Sequence, residues 1–313
     1  MFPMFRCIVV LLAATSLIAV NIAWTDSPRT VTADLQADGV HVTVDGKLFT
    51  VYLTGETQKY PYFYPVNGPA SGRSVTTESA EPYPHHHSLF FGCDHVNGGN
   101  YWQEEDSRGQ IVSRNVEMIE AEGPQVVFAD SCEWVRPDAP SPFRDERTIT
   151  ISAPCSDTRL IDFDITLIAL MDVHITKTNH SLFSARMVPE LCVKQGGTLI
   201  NAHGDTKEEG TFGKESPWCD YWGVRNGITE GLAIFAYPQN KWFPPQWFTR
   251  DYGFFSPAPM FWLDEKEGLK MATDERLRLR FRCVVHKGNT QEAKIADLFQ
   301  DWEIESKDGE TTR

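Results

Sequence analysis

Hydrophobic and polar residues alternate along much of the chain with a period of two, which is the pattern of half-buried β-strands. Alternation over residues 40–44 stops at Asp45-Gly46 and resumes over residues 49–53. Because Asp-Gly favours the left-handed backbone of a tight turn, this segment predicts a β-hairpin. A second alternating run extends over residues 159–169, and a further strand is predicted over residues 173–178.

The sharpest alternation lies near the C-terminus, where apolar residues interleave with arginines. The apolar residues are Leu277, Leu279, Phe281, Cys283 and Val285, and the arginines are Arg276, Arg278, Arg280 and Arg282. We predict a strand with one core face and one cationic face. Asp162 and Asp164, on the polar face of another predicted strand, are the expected ion-pair partners of the arginines. Binding of an acidic substrate is the alternative.

One helix signal stands near the end of the chain. Asn289 and Glu292 have the spacing of a capping box ahead of an amphipathic run over residues 295–302. Turn residues are spread evenly through the rest, with no linker and no internal repeat. We therefore predict one all-β domain over residues 24–313, a large, supersandwich-like antiparallel β-sandwich of roughly a dozen or more strands with one C-terminal helix. A closed barrel is the alternative.

The first 23 residues have the layout of a secretory signal peptide. Arg6 precedes an apolar run over residues 7–20, after which the chain turns polar. The run is shorter than the roughly 20 residues that a spanning helix needs. The sequence thus predicts export to the periplasm or the extracellular space, with an uncleaved N-terminal anchor as the alternative.

The charge balance narrows the possible partners. With 43 acidic and 29 basic residues the formal net charge is −14, which argues against a nucleic-acid partner because phosphate binding requires clustered cations. The expected partner is a small molecule or an oligosaccharide. Six cysteines follow the signal segment at wide spacing and without a C-x-x-C pair, so the sequence leaves disulfide pairing open.

A histidine-rich segment over residues 83–102 is the first candidate for chemistry. It contains His85, His86, His87 and His95 within eleven residues. Imidazole titrates near neutral pH and ligates metals, so His85, His86 and His95 are candidate general acids or bases. In an extended chain His85 and His87 face one side, and His95 would have to complete any metal site with them. The alternative is a solvated loop.

Two further segments, over residues 218–223 and 242–253, place aromatic rings beside charged groups. Rings stack on the C–H faces of sugars, and charged groups bind sugar hydroxyls. Asp220 and Asp251 are the candidate catalytic carboxylates, and ordinary core packing of the rings is the alternative. The candidate substrate-binding residues of all three segments are Asn97, Trp102, Tyr221, Trp222, Trp247, Arg250 and Tyr252.

Several ordered motifs resemble the PmoA-like family of bacterial proteins over roughly residues 40–290. They are Tyr62-Phe63-Tyr64-Pro65, Pro84-His85-His86, Ser88-Leu89, Val96-Asn97-Gly98, Trp102, Asp162-Phe163-Asp164, Trp218, Asp220-Tyr221 and Arg250-Asp251-Tyr252-Gly253. The resemblance implies an exported or sugar-catabolic accessory protein. The family's common label, methane oxygenase, belongs to a multi-span membrane protein, whereas this sequence has no apolar run after residue 20 long enough to cross a bilayer.

The sequence departs from the family pattern at two positions. Members usually have an arginine after the two histidines and an aspartate before Val-Asn-Gly, where this chain has His87 and His95. An imidazole reproduces neither a bidentate guanidinium nor a permanent carboxylate. The resemblance therefore implies functional roles at the positions that match, which are His85, His86, Asn97, Asp220, Arg250 and Asp251.

The leading hypothesis is an exported carbohydrate-active enzyme of lyase, hydrolase or epimerase type. In it His85 or His86 acts as general base or acid, Asp220 or Asp251 orients that imidazole or acts as the partner acid, and Arg250 binds a substrate oxygen. This chemistry requires no cofactor.

Two alternatives come from other classes of protein. One is a non-catalytic carbohydrate-binding or surface-interaction module with Trp222 or Trp247 as its platform. The other is a copper or zinc oxidoreductase built on the histidine cluster.

Overall fold

The computed structural model describes residues 26–103 and 105–310, so the predicted signal peptide lies outside the described residues. The described residues form twenty β-strands. In chain order they are β1 Val31–Gln36, β2 Gly39–Val44, β3 Lys47–Leu53, β4 Tyr62–Val66, β5 Leu89–Val96, β6 Gly99–Tyr101, β7 Gln110–Glu120, β8 Glu122–Gly123, β9 Gln125–Val135, β10 Phe143–Cys155, β11 Thr158–Ala169, β12 Val173–Ile175, β13 Ser181–Arg186, β14 Thr198–Asn201, β15 Trp218–Arg225, β16 Ile228–Ala236, β17 Trp247–Thr249, β18 Phe254–Pro257, β19 Leu269–Met271 and β20 Arg276–Lys287.

The strands form two antiparallel sheets. The twelve-stranded sheet has the order β17-β18-β13-β5-β4-β3-β2-β1-β8, with β6 and β12 also paired to β5 and β19 paired to β12. The eight-stranded sheet has the order β14-β15-β16-β20-β11-β10-β9-β7. Phe63, Phe91 and Phe183 of the first sheet meet Phe163 of the second across the interior. The predicted all-β sandwich is confirmed.

The strands that alternation predicted are present. In the β2–β3 hairpin, Asp45 and Gly46 have φ of 49° and 74°, the left-handed turn that Asp-Gly favours. Strand β11 extends over Thr158–Ala169, and β12 occupies only Val173–Ile175 of the predicted residues 173–178. Each of these strands buries one face against the core, so hydrophobic and polar residues alternate along it. This is why a period of two predicted these elements correctly.

The cationic face of β20 is neutralised by its neighbour β11, as the ion-pair interpretation predicted. Arg282 donates through Nε and Nη2 to the two oxygens of Asp162, at 2.6 and 2.8 Å. Arg278 binds Asp164 in the same two-point manner, with Nε 2.9 Å from Oδ1. The β11–β20 register places Asp162 directly opposite Arg282, whereas Asp164 lies opposite Arg280 and binds the diagonal neighbour Arg278.

The described chain has two α-helical segments, the single turn α1 (Lys207–Thr211) and the C-terminal α2 (Ile295–Glu310), besides four short 3-10 turns. The predicted capping box forms, since Asn289 Oδ1 accepts from Glu292 N at 3.0 Å and Glu292 Oε2 accepts from Asn289 N at 2.9 Å. Regular helix nevertheless begins only at Ile295, because Lys294 has a φ of 53°. Helix α2 packs with Phe235 on the outer face of the eight-stranded sheet.

Two questions that the sequence left open concern the cysteines and the membrane. All six cysteines of the described residues are free and buried; they are Cys93, Cys132, Cys155, Cys192, Cys219 and Cys283. Among the described residues, neither α1 nor α2 is long and apolar enough to cross a bilayer.

Candidate functional site

The histidine-rich segment leads into β5, which pairs with β13 near the middle of the twelve-stranded sheet. Phe91 and Phe183 point into the sandwich and contact the other sheet. Because side chains alternate along a strand, Asp94 on β5 and Arg186 on β13 belong to the opposite, outer face. Loops that carry aromatic rings cover this outer face in part.

An aspartate–histidine pair occupies that face. The β5–β13 register places His180, just before β13, beside Asp94, whose backbone N donates to His180 O at 3.1 Å. His180 Nδ1 lies 2.8 Å from Asp94 Oδ2, and Thr178 Oγ1 donates to the other carboxylate oxygen. Only 6% of the Asp94 side chain and 22% of the His180 side chain are exposed. The carboxylate thus holds the imidazole in one orientation at the edge of solvent.

A β-bulge explains why Asp94 is buried here and its neighbour is not. Register between β5 and β6 shifts between Asp94 and Val96, and His95 in the shifted position has a φ of 56°. His95 therefore turns outward, with half its side chain exposed, and its Nδ1 lies 3.2 Å from Lys177 O.

Aromatic rings line the pair. The indole of Trp102 stacks on His180, with centroids 5.6 Å apart and planes at 24°. Gly92 allows β6 to approach β5 at this point, because a Cβ there would lie 2.6 Å from Tyr101 O. The His85 ring lies 5.9 Å from His180 on the open side. His180 Nε2 forms no hydrogen bond within the described part of the chain, so it can bind a ligand.

His86 is placed differently from His85. It is 4% exposed and lies between Phe254, at 4.5 Å, and Tyr83, at 5.3 Å between ring centroids. Its Nδ1 is buried without a hydrogen-bond partner. Burial, reinforced by His85 and Arg186, lowers the pKa of His86 to about 2. His86 therefore stays neutral at neutral pH and is a poor general base.

Arg186, at the end of β13, completes the cluster. Its guanidinium lies 4.4 Å from the centre of the Tyr252 ring, and Nη1 donates to Tyr252 O at 2.7 Å. Tyr252 in turn contacts Tyr83 at 5.1 Å and is nearly parallel to His86 at 6.5 Å. The rings and the guanidinium therefore form one continuous cluster with the histidines.

Arg250 and Asp251 lie beside Tyr252 in the β17–β18 turn, but they hold α1. Asp251 Oδ1 accepts from Glu208 N at 2.7 Å, at the start of that helix. Arg250 binds Glu208 Oε1 at 3.2 Å and stacks on Phe248 at 3.9 Å. The two predicted residues therefore lie on the same side of the sheet as the histidines. Their charged groups, however, are engaged in contacts with α1 and Phe248.

The structure corrects the predicted role of Asp220. It lies on β15 between Trp218 and Trp222, on the outer face of the eight-stranded sheet, and is fully buried. Its oxygens accept from His286 Nε2 at 3.0 Å and from Thr290 Oγ1 at 2.6 Å. The expected pairing of Asp220 with His85 or His86 is therefore wrong, because the sandwich separates them.

Four other predicted substrate contacts do not adjoin the histidines. Trp247 and Tyr221 are fully buried; Trp247 donates to Ser216 O, and Tyr221 to Asp251 O. Asn97 binds the backbone of β12, donating to Asp172 O and accepting from His174 N. Trp222 lines a groove of about 510 Å³ with Trp218 and residues before α2. Only Trp102 and Tyr252 of the predicted aromatic contacts adjoin the histidines.

The three histidines proposed as alternative metal ligands do not converge. His87 turns toward Glu78, with Nδ1 3.7 Å from Oε1, and His95 turns outward. Within residues 26–103 and 105–310, no three histidine, cysteine or acidic side chains are arranged to hold a metal ion. His85 instead contacts His86, at 4.6 Å between ring centroids, and His180.

Sequence reasoning missed His180, Asp94, Tyr83 and Arg186. Two signals were available in the sequence. Asp94 is the single acidic residue of the histidine-rich segment, and Arg186 is the single charged residue of the strand Ser-Leu-Phe-Ser-Ala-Arg. His180 had no local signal, because only the pairing of β5 with β13 brings it to Asp94.

The fold and this cluster define an antiparallel β-sandwich protein with a histidine-centred polar site on the outer face of its larger sheet. The model of a family of unknown function, DUF6807, matches residues 39–300. The chain belongs to this family. The comparison with curated proteins found no match.

Proposed function

We propose that the protein is an enzyme that performs acid–base chemistry on a carbohydrate, of lyase, hydrolase or epimerase type. The observation that carries this proposal is the Asp94–His180 pair, in which Nδ1 is held by a carboxylate at 2.8 Å while Nε2 remains available. A carboxylate that orients an imidazole also stabilises the imidazolium formed when Nε2 accepts a proton.

His180 is the general base in this mechanism. Its Nε2 takes a proton from a substrate hydroxyl or C–H group, and Asp94 stabilises the resulting positive charge. His85, whose ring centre is 5.9 Å from that of His180, is the partner that returns a proton to the substrate. No metal or cofactor is required for this step.

The surroundings of the pair support a sugar as the substrate. Tyr83, Tyr252 and His85 form a partly exposed aromatic surface next to His180. Aromatic faces pack against the C–H faces of sugar rings, while imidazoles bind the hydroxyls.

The proposal is tested by turnover of neutral and oxidised mono- and oligosaccharides with His180→Ala and Asp94→Asn. Loss of general base catalysis should lower kcat about 10²- to 10⁴-fold with a smaller effect on KM. His41→Ala is the matched control, because it removes the imidazole of a surface pair in which Nε2 lies 2.8 Å from Asp38 Oδ1. It should retain full activity.

Two results would contradict the proposal. One is a wild-type protein that turns over none of these sugars, and the other is undiminished turnover by both variants. A sugar that binds without turnover, and whose binding is lost in Trp222→Ala but kept in His180→Ala, would instead favour the non-catalytic module. The groove beside Trp218 and Trp222 is the observation that keeps this second candidate.

Export and the resemblance to PmoA-like proteins stay predictions. Residues 1–23 are proposed as a cleaved signal that directs the protein to the periplasm or the extracellular space. N-terminal sequencing of the mature protein tests this, because a retained Met1 would indicate an anchor or an intracellular protein.

A further inference from the structure

Arg186 is a buried cation without a carboxylate. It is 2% exposed, and its Nε is buried without a hydrogen-bond acceptor. Within the described residues its guanidinium forms one hydrogen bond, from Nη1 to Tyr252 O, and no ion pair. The polar groups that surround it are neutral, namely Cys192, Tyr221, Tyr252 and Tyr83.

The other buried arginines of the described chain are paired. Arg147 binds Asp145 through Nε at 2.7 Å and Nη2 at 3.1 Å. Arg225 lies 3.9 Å from Glu230 Oε2. Burial of a guanidinium costs several kcal/mol unless an anion compensates it. The fold therefore gains no stability from the charge of Arg186 in β13, whose other residues are uncharged.

The position of Arg186 connects it to the proposed site. Its partner Tyr252 contacts Tyr83 and His86. Both of these rings contact His85, which in turn contacts His180. A second cation, the exposed Lys194, has its Nζ 5.8 Å from the centre of the Tyr252 ring. Two positive charges therefore flank one aromatic ring at the end of the histidine cluster.

We propose that Arg186 binds the carboxylate of an acidic sugar, so that the substrate class of the site is a uronic acid or an oligosaccharide that contains one. This inference rests on the proposed function. With Nη1 engaged by Tyr252, the Nε–Nη2 edge is the part of the guanidinium without a protein partner, and this edge matches the two oxygens of a carboxylate. Lys194 adds attraction at the entrance, and Tyr252 contacts the sugar ring.

Thermal unfolding of the full chain tests this inference. The probes are D-glucuronate, D-galacturonate, the neutral sugars D-glucose and D-galactose, and inorganic phosphate, each at equal concentration. At least one uronate should raise the Tm of the wild type more than its neutral counterpart does. Arg186→Gln should weaken uronate binding by about 30-fold or more and leave neutral sugars unaffected.

Two further variants make the result specific to Arg186. Arg186→Lys keeps the charge without the two-point geometry and should bind the uronate with intermediate affinity. It also gives a second measurement if Arg186→Gln fails to fold, which circular dichroism would show. Arg278→Gln removes a guanidinium that is paired with Asp164 on the other sheet and should bind as the wild type does.

The outcomes separate this inference from the proposed function. Equal binding of uronates and neutral sugars, no uronate binding at all, or uronate binding unchanged in Arg186→Gln would each overturn the inference. Phosphate stabilisation as large as that of the uronate would assign Arg186 to a free oxyanion and overturn it too. The roles of His180 and Asp94 are decided separately, by turnover, so a failure of this inference is distinguishable from a failure of the proposed function.

Discussion

The two most deeply buried arginines of the sandwich have opposite surroundings. Arg147 on β10 lies between the sheets, where Asp145 accepts from it at two points and Nη1 donates to Tyr52 OH at 3.1 Å. Tyr52 donates in turn to Asp130 at 2.8 Å. Arg186 on β13 has a tyrosine ring and one carbonyl oxygen instead. The first guanidinium completes a network that joins the two sheets, and the second leaves its own charge uncompensated.

The difference also appears in the pKa values. Burial opposes the charge of both residues, but Asp145, Cys132 and Tyr52 together outweigh burial and raise the pKa of Arg147 well above its ordinary value. Burial lowers the pKa of Arg186, because the groups that oppose burial are a thiol and phenols and do not include a carboxylate. A buried ion with its partners satisfied indicates structure, whereas one without a partner indicates a ligand. Stability measurements can test this distinction.

The largest effect is expected for Arg147→Met. It leaves Asp145 charged and buried, with Trp134 Nε1 as a remaining donor at 2.8 Å. Loss of one partner from a buried pair costs about 3–5 kcal/mol. Urea unfolding at pH 7 measures the loss in the free energy of unfolding. The double variant Arg147→Met/Asp145→Asn should recover most of this loss. A loss below about 1 kcal/mol would show that the pair contributes little.

A smaller, pH-dependent effect is expected from His86. Its folded pKa of about 2 lies below the unfolded value of about 6.5, so the unfolded chain takes up the proton first as pH falls. The contribution of His86 to the free energy of unfolding is complete above about pH 6.5 and is lost as the pH falls from 6.5 to 2. Between pH 7 and 4.5 the free energy of unfolding of the wild type should therefore fall by about 2.5 kcal/mol more than that of His86→Phe.

Urea unfolding at the two pH values measures the His86 effect. His203→Phe, at an exposed turn position, serves as the control and should behave as the wild type. An equal pH response of the wild type and His86→Phe would contradict the burial of a neutral imidazole at this position.

The smallest effect is expected for Arg186→Met. Removal of an uncompensated buried charge offsets the lost hydrogen bond to Tyr252 O, so the free energy of unfolding should change by less than about 1 kcal/mol. Urea unfolding without added ligand, in parallel with Arg147→Met, provides the comparison. A loss as large as that of Arg147→Met would make Arg186 a structural residue and remove the contrast between the two arginines.

The sequence alone was sufficient for the fold class. Period-two alternation predicted β11 and β20, Asp45-Gly46 predicted the β2–β3 turn, and Asn289 with Glu292 predicted the cap near α2. These features are local, since each depends on residues that are neighbours along one strand or one turn. The choice of Asp162 and Asp164 as ion-pair partners also succeeded, because their strand carries its charges on a single face.

Which residues make up the site was decided by the tertiary structure. His85, His86, Trp102 and Tyr252 were predicted and do come together, whereas Asp220 does not. The sequence does not show whether a carboxylate and an imidazole lie on the outer face of the same sheet or on the outer faces of different sheets. Only the pairing of strands distinguishes the two cases.

Strand pairing also determined which residues perform the proposed chemistry. His180 meets Asp94 because β13 lies beside β5, although the two residues are 86 positions apart in the chain. Arg186 lacks a carboxylate because its neighbours across the sheet are Ser88 and Phe254. Residue type and spacing along the chain determined which strands form and which face of each is buried. Partners across strands are set by register and sheet order, which depend on long-range packing and not on any one segment.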